Sequence, residues 1–251
     1  MIKVEIKIPN KLSELTLGQY QKFSKIYTKD ADQDFVQKKM IEIFCKIPLA
    51  DVDKIKYSSI KKVINVITKM FNQQPKLKNI FNLDGVDYGF HPKLADMTFG
   101  EFVDADTFAG DWETMDKAMS VLYRPVKDNF KGSYLIEDYD GETKEFFKEM
   151  PLDVAFGAIF FFVEFKKRTH STYPSLFSRR NEEKFDAKAN FGSKWGWYSS
   201  FYSLAKEDVT KFEKIERLNL STCLTWLSFV KEKSELEKQQ IKNAKQGSSY
   251  R

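Results

Sequence analysis

Apolar side chains recur every three or four residues along most of the chain, which is the spacing of amphipathic helices. Ile60, Val63 and Ile67, for example, fall on one face of a predicted helix. The same spacing predicts helices over residues 16–29, 32–46, 57–72, 98–108, 112–123, 151–167, 191–206, 208–218 and 220–241, with a shorter one over 142–149. We therefore expect a mainly helical protein.

Two short stretches favour strands instead. Apolar and polar residues alternate over residues 2–8, which indicates a half-buried strand. Asp84 and Gly85 separate two apolar runs and predict a tight hairpin turn between strands near 78–83 and 86–90. We expect the first strand to join this hairpin. Residues 126–141 and 168–191 show no clear periodicity and are predicted to be irregular.

These elements predict a mainly α fold with a small antiparallel β-sheet, an α+β protein resembling a multi-helix bundle. We expect an α+β region over residues 1–145, which contains two strand–turn–helix repeats. A helical region follows over residues 146–241. Residues 242–251, which carry Lys242, Lys245 and Arg251 and no acidic residue, are predicted to form a flexible basic tail.

A repeat is the most specific feature of the sequence. Residues 11–20 read KLSELTLGQY and residues 93–102 read KLADMTFGEF. In each copy a threonine, Thr16 or Thr98, stands three positions before Gln19 or Glu101, which is the capping-box pattern of a helix start. The repeat has two interpretations: an efficient way to begin a helix, or an old duplication of a larger unit.

Composition narrows the class of protein. The 251 residues are 42% hydrophobic and 31% charged, as in globular proteins. The two cysteines, Cys45 and Cys223, lie in apolar surroundings and are expected to be buried and reduced. The N-terminus lacks the apolar core of a signal peptide, and the apolar segment 154–165 is too short to cross a bilayer. These features predict a soluble intracellular protein.

No motif for covalent chemistry stands out. His91 and His170 are the only histidines, and neither lies in or near a recognisable nucleophile motif. Glycine-rich phosphate loops are missing from the sequence. The acidic clusters around Asp104 and Asp138 lack the ligand spacing of a calcium loop. We expect no catalytic residues, no metal site and no cofactor.

The clearest candidate binding region is a basic segment, residues 166–188, which is followed by aromatic residues over 191–202. The chain has 41 Lys and Arg against 36 Asp and Glu, a net charge of +5. Cations and aromatic rings together can hold single-stranded nucleic acid. The aromatic spacing also fits a helix core, and exposed aromatic side chains are typical anchors for a protein partner. The sequence leaves these three interpretations open, with core packing favoured over a protein surface and nucleic acid third.

Several stretches resemble proteins encoded by tailed bacteriophages. These are the two helix starts, AMSVLYRPV near residue 118, and the segment from GWYSSFYSLAKEDV to LSFVKEK, which resembles the helical part of phage tail assembly chaperones. The resemblance implies a non-enzymatic protein of the host cytoplasm that binds a tape-measure or tail component during assembly. A structural virion component and a basic nucleic-acid-binding accessory protein are the alternatives. The candidate partner-binding residues are Trp112, Trp195, Trp197, Tyr198, Arg179 and Arg180.

Overall fold

The computed structural model describes residues 6–28, 30–130, 132–177 and 194–248. Contacts divide the chain into two compact units, each built from two stretches of sequence. Unit 1 comprises Met1–Pro92 and Asp104–Phe162, and unit 2 comprises Lys93–Val103 and Val163–Arg251. The fold is mainly helical with one small antiparallel sheet among the described residues, which confirms the predicted fold class. The predicted division at residues 145 and 146 stays a prediction.

Most of the helices predicted from periodicity are present. In chain order they are α1 (Leu17–Ser24), α2 (Gln33–Cys45), α3 (Leu49–Val52), α4 (Tyr57–Phe71), α5 (Phe99–Phe108), α6 (Met115–Leu122), α7 (Leu152–Thr172), α8 (Pro174–Phe177), α9 (Tyr198–Ala205), α10 (Phe212–Glu216) and α11 (Leu220–Ser248). Short 3₁₀ turns precede several of them, and the predicted helix over 142–149 is such a turn, Glu145–Glu149. The apolar stripe of α4 is buried at Ile60, Val63 and Ile67, as its spacing predicts.

The sheet lies in unit 1 and has the order β1–β2–β3–β4, with every neighbouring pair antiparallel. Its strands are β1 (Ile80–Leu83), β2 (Val86–Phe90), β3 (Tyr123–Phe130) and β4 (Ser133–Ile136). The predicted turn between β1 and β2 is confirmed. Asp84 and Gly85 both have positive φ, 51° and 86°, as a two-residue hairpin with the right-handed twist of strands requires.

Several predictions about local structure are wrong. Residues 6–8 are not a strand, and residues 1–5 of that predicted strand lie outside the described residues. The hairpin pairs instead with residues 123–125 of β3, at the end of the predicted helix 112–123 and just after it, and the rest of β3 lies in the region predicted to be irregular. Helix α7 continues to Thr172 and α8 follows it, inside the predicted loop 168–191. Helix α11 extends to Ser248, so residues 242–248 of the predicted tail are helical.

An aromatic core fills unit 1. Tyr123 is fully buried, packs edge-to-face on Phe81 at 5.0 Å between ring centroids, and donates a 2.6 Å hydrogen bond to the carbonyl of Lys78. Beside α1, the amide of Gln21 donates to the buried carboxylate of Asp116 at 2.7 Å. Both groups are buried, so bulk water is not available to them as an alternative hydrogen-bond partner. This contact therefore holds α1 against α6.

Each copy of the sequence repeat begins a helix with the predicted capping box. Thr16 accepts a hydrogen bond from the backbone of Gln19, and the Gln19 side chain accepts one from the backbone of Thr16. Thr98 and Glu101 form the same reciprocal pair, at 3.2 and 2.7 Å. Both predicted helix starts are therefore confirmed.

The repeated unit is larger than the sequence match, because each copy pairs with the start of a second helix. In unit 1 the amide of Leu17 donates to the carbonyl of Met150, and the amide of Leu152 donates to Leu15. The corresponding pairs in unit 2 are Phe99 with Leu218 and Leu220 with Met97. Each repeat copy thus forms an isolated antiparallel bridge, centred on Thr16 with Pro151 and on Thr98 with Asn219.

Both cysteines are buried, as expected. Desolvation raises the pKa of Cys45 and of Cys223 to about 11. At neutral pH such thiols stay protonated, and they act as small apolar side chains of the two cores.

Candidate functional site

A groove in unit 2 is the strongest candidate binding site in the described part of the chain. It has a volume of about 400 Å³ and lies between α8, α9 and α11. We call it the α8–α9–α11 groove. Its lining consists of Leu176, Phe177, Trp197, Ser199, Ser200, Ser203, Leu227, Val230, Lys231, Ser234, Glu235 and Lys238.

Trp197 holds the inner wall of the groove in place. Its ring packs edge-to-face on Phe99 and Phe102, with centroids 5.7 and 5.6 Å away. Phe177 reaches the same ring from α8 at 6.1 Å. Trp197 also caps α9, because its carbonyl accepts hydrogen bonds from the amides of Ser200 and Phe201. The residue is half-buried, so one side of it serves the core and the other faces the groove.

The turn after α9 fixes the direction in which the chain continues. Lys206 and Glu207 both have positive φ, 53° and 69°. Residues other than glycine adopt this backbone conformation only at a cost in free energy. The amide of Glu207 donates to the carbonyl of Tyr202, which closes the helix end. The Glu207 side chain also hydrogen-bonds the Tyr202 hydroxyl, and this bond raises the pKa of Tyr202.

The α11 wall is set by helical spacing. Leu227, Val230 and Ser234 recur at the three- and four-residue intervals that place side chains on one helical face. Beside this wall, the hydroxyl groups of Ser175 on α8 and Ser228 on α11 form a hydrogen bond of 2.5 Å. The hydroxyl oxygen of Ser199 is buried and has no hydrogen-bond partner among the described residues.

The predicted partner-binding residues divide between the units. Trp195 and Tyr198 are 42% and 50% exposed, and their rings contact each other at 5.6 Å beside Trp197. Both rings are therefore accessible, as an anchor for a partner requires. Trp112 belongs to unit 1, where it packs on Tyr20 at 4.6 Å and is half-buried.

Two of the predicted residues, Arg179 and Arg180, lie outside the described residues, as do residues 178–188 of the basic segment. Sequence reasoning missed the α8 and α11 walls of the groove. The regular spacing of Leu227 and Val230 carried a signal, but a stripe of that kind is more often core.

A second cavity, of about 210 Å³, lies in unit 1 beside β3. Two of its carboxylates share one lysine: Lys144 pairs with Asp140 at 3.1 Å and with Glu142 at 2.6 Å. The hydroxyl of Tyr139, which also lines the cavity, donates to the carboxylate of Asp104. Burial raises the pKa of Asp104, and this hydrogen bond offsets part of the rise. These contacts account for the charges of Asp140, Glu142 and Lys144 within the fold.

The described residues contain no cluster of three or more His, Cys, Asp or Glu side chains placed to hold a metal ion. The one histidine close to the groove, His170, stacks on Phe177 at 4.0 Å. Among the same residues, no helix has the length and apolar character that a membrane span needs.

The fold and groove define a mainly helical protein with a small antiparallel sheet and an aromatic-lined cleft. No protein-family model matches this chain, and comparisons with curated proteins and with solved structures find no match either.

Proposed function

We propose that this protein is a non-enzymatic bacteriophage protein that binds a tail or virion protein during assembly, in the manner of a tail assembly chaperone. The observation that carries the proposal is the α8–α9–α11 groove. Its floor is apolar and its rim is polar, which is the arrangement of protein-binding hot spots. The resemblance of the α9–α11 segment to phage chaperones supports the same function.

The groove suits a segment of polypeptide. Leu176, Phe177 and Leu227 offer apolar contacts to one or two inserted side chains. The hydroxyls of Ser200 and Ser203 on α9 offer hydrogen bonds to a backbone laid across them. Trp195 and Tyr198 extend the aromatic surface next to the groove. Large aromatic side chains that are half-exposed before binding contribute much of the energy of protein interfaces.

The rim charges indicate which flanking residues a partner should carry. Lys231 and Lys238 stand one above the other on α11, with Glu235 between them. We expect an apolar partner segment that is followed by acidic side chains, because these would meet the two ammonium groups.

The test measures binding of the full chain to the tape-measure protein and to the tail-tube protein encoded in the same genome. Ser203 is exposed and lines the groove, so Ser203→Arg fills the groove without removing a buried side chain. We expect the wild-type chain to raise the soluble fraction of one of these proteins on co-expression, and Ser203→Arg to weaken its binding at least tenfold in calorimetry. Ser58→Arg, on the exposed face of α4, is the matched control.

Three results would count against the proposal. The first is that neither tail protein binds. The second is that Ser203→Arg binds as tightly as Ser58→Arg. The third is that purified virions contain the protein at fixed copy number, which would make it a structural component. A gel shift of labelled single-stranded DNA that weakens steeply with salt would favour the nucleic-acid alternative instead.

A further inference from the structure

Helices α7 and α11, whose starts are bridged to the two repeat copies, correspond residue by residue at a constant offset. Leu152 at the start of α7 corresponds to Leu220 at the start of α11, and both are buried. Three further pairs at the same offset are buried in both helices: Ala155 with Cys223, Phe156 with Leu224, and Ile159 with Leu227. The inner faces of α7 and α11 therefore match along their first two turns, and their outer faces can be compared in the same register.

In unit 1 an extended part of the chain lies against the outer face of α7 at Gly157. A Cβ added at Gly157 would lie 2.5 Å from the carbonyl oxygen of Lys76, so the backbone of residues 76–77 rests directly on the helix. One turn further on, Phe161 packs edge-to-face on Phe90 of β2, with centroids 5.7 Å apart, and remains 41% exposed. Ala158 between them is fully buried.

In unit 2 the corresponding positions are Thr225, Trp226 and Phe229, and all three are exposed. Trp226 is 48% exposed and Phe229 is 56% exposed. Their rings contact each other at 6.0 Å, and no other ring of the described residues is recorded against them. At 3.6 residues per turn this outer face lies roughly opposite the groove wall of α11.

The small size of this face argues against a second copy of the chain as its occupant. A large aromatic side chain has about 150–250 Å² of surface, so two half-exposed rings offer on the order of 200 Å². A stable dimer buries about 800 Å² on each partner. A short segment fits this face better than a subunit does.

We propose that the outer face of α11, formed by Thr225, Trp226 and Phe229, docks an extended apolar segment of a partner protein. The segment takes the place that residues 76–77 and β2 occupy on α7. Thr225 stands where α7 has Gly157, so the docked backbone lies further from the helix axis and its side chains reach the two rings. This surface is separate from the groove and does not depend on the function proposed for it.

The test measures binding of a fluorescein-labelled peptide to the full chain. The peptide spans residues 74–91, which include the residues that contact α7 in unit 1. We expect saturable binding that is weakened at least tenfold by Trp226→Ala with Phe229→Ala. Both side chains are exposed, so the double variant should keep its fold, as its circular dichroism will show. Ser203→Arg, in the groove, should bind the peptide like the wild type.

The peptide with a scrambled sequence should bind at least tenfold more weakly. Equal binding of the peptide to the double variant would overturn the proposal, and so would no binding at millimolar concentration. Sedimentation velocity distinguishes the remaining occupant: a dimer that is lost in the double variant would make a second copy the true partner. A failed groove test together with a successful peptide test would leave this surface standing alone.

Discussion

At the residue scale, the two threonine caps are matched points at which stability can be tested. Each hydroxyl satisfies a backbone amide of a helix's first turn that has no partner within the helix. Replacement by alanine removes that bond and leaves the amide to water. We expect Thr16→Ala and Thr98→Ala each to lower the free energy of unfolding by about 1 kcal/mol, measured by urea denaturation.

Thr143 is the control for both caps, since it is exposed and stands outside any helix. Thr143→Ala should change the free energy of unfolding by less than about 0.5 kcal/mol. Equal effects at all three positions would show that the loss of a threonine, rather than the loss of a cap, is responsible.

Features set by neighbours in sequence could be predicted from single residues. Asp84 and Gly85 make a hairpin turn because both tolerate positive φ, and Thr98 with Glu101 makes a capping box because three residues span one turn. The role of Trp197 is only partly predictable from the sequence. Its helical spacing predicts packing in the core, and its aromatic ring favours a binding surface. The residue is half-buried and serves both roles.

At the element scale, Gly157 allows the chain to rest on α7. The missing side chain lets the backbone at Lys76 approach, since an added Cβ would lie 2.5 Å from its carbonyl oxygen. Alanine favours helices over glycine by about 1 kcal/mol, but this clash with backbone cannot be relieved by a rotamer change. We expect Gly157→Ala to lower the free energy of unfolding by about 1–3 kcal/mol, measured by urea denaturation.

Gly110 provides the comparison for this substitution, because its added Cβ would meet its nearest atom at 3.4 Å, an ordinary contact. Gly110→Ala should be neutral or slightly stabilising. A gain in stability for Gly157→Ala would mean that residues 76–77 do not lie against the helix, and would remove the comparison on which the outer face of α11 depends.

Strands β3 and β4 were missed for a reason that also belongs to this scale. A register shift between Val126 and Asp128 interrupts the alternation that identifies a strand, and the polar sequence KDN follows at once. The partner of β3 is β2, where Gly89 lies opposite Arg124. Pairing across such a distance in sequence supplies what local propensity lacks, and periodicity cannot detect it.

At the scale of the whole molecule, the repeat has two interpretations from the sequence: an efficient helix start, or an old duplication of a larger unit. The hydrogen bonds around the two copies bear on this choice. A good helix start alone would not require a partner segment, yet each copy is bridged to the start of a long helix by the same two hydrogen bonds. Gly18 and Gly100 face equivalent residues as well, Lys148 and Glu216, at 3.1 Å from an added Cβ. This shared arrangement favours duplication of the whole bridged unit.

If the two bridged units open separately, a cap removed from one should leave the other unaffected. In unit 2 the amides of Phe99 and Leu220 form the bridge, and in unit 1 those of Leu17 and Leu152 do so. We expect Thr98→Ala to speed hydrogen exchange at Phe99 and Leu220 about fivefold, as a loss of about 1 kcal/mol predicts, measured by NMR. Exchange at Leu17 and Leu152 should stay as in the wild type. An equal acceleration at all four amides would instead make the chain one cooperative unit, because every bridge would then open only with the whole fold.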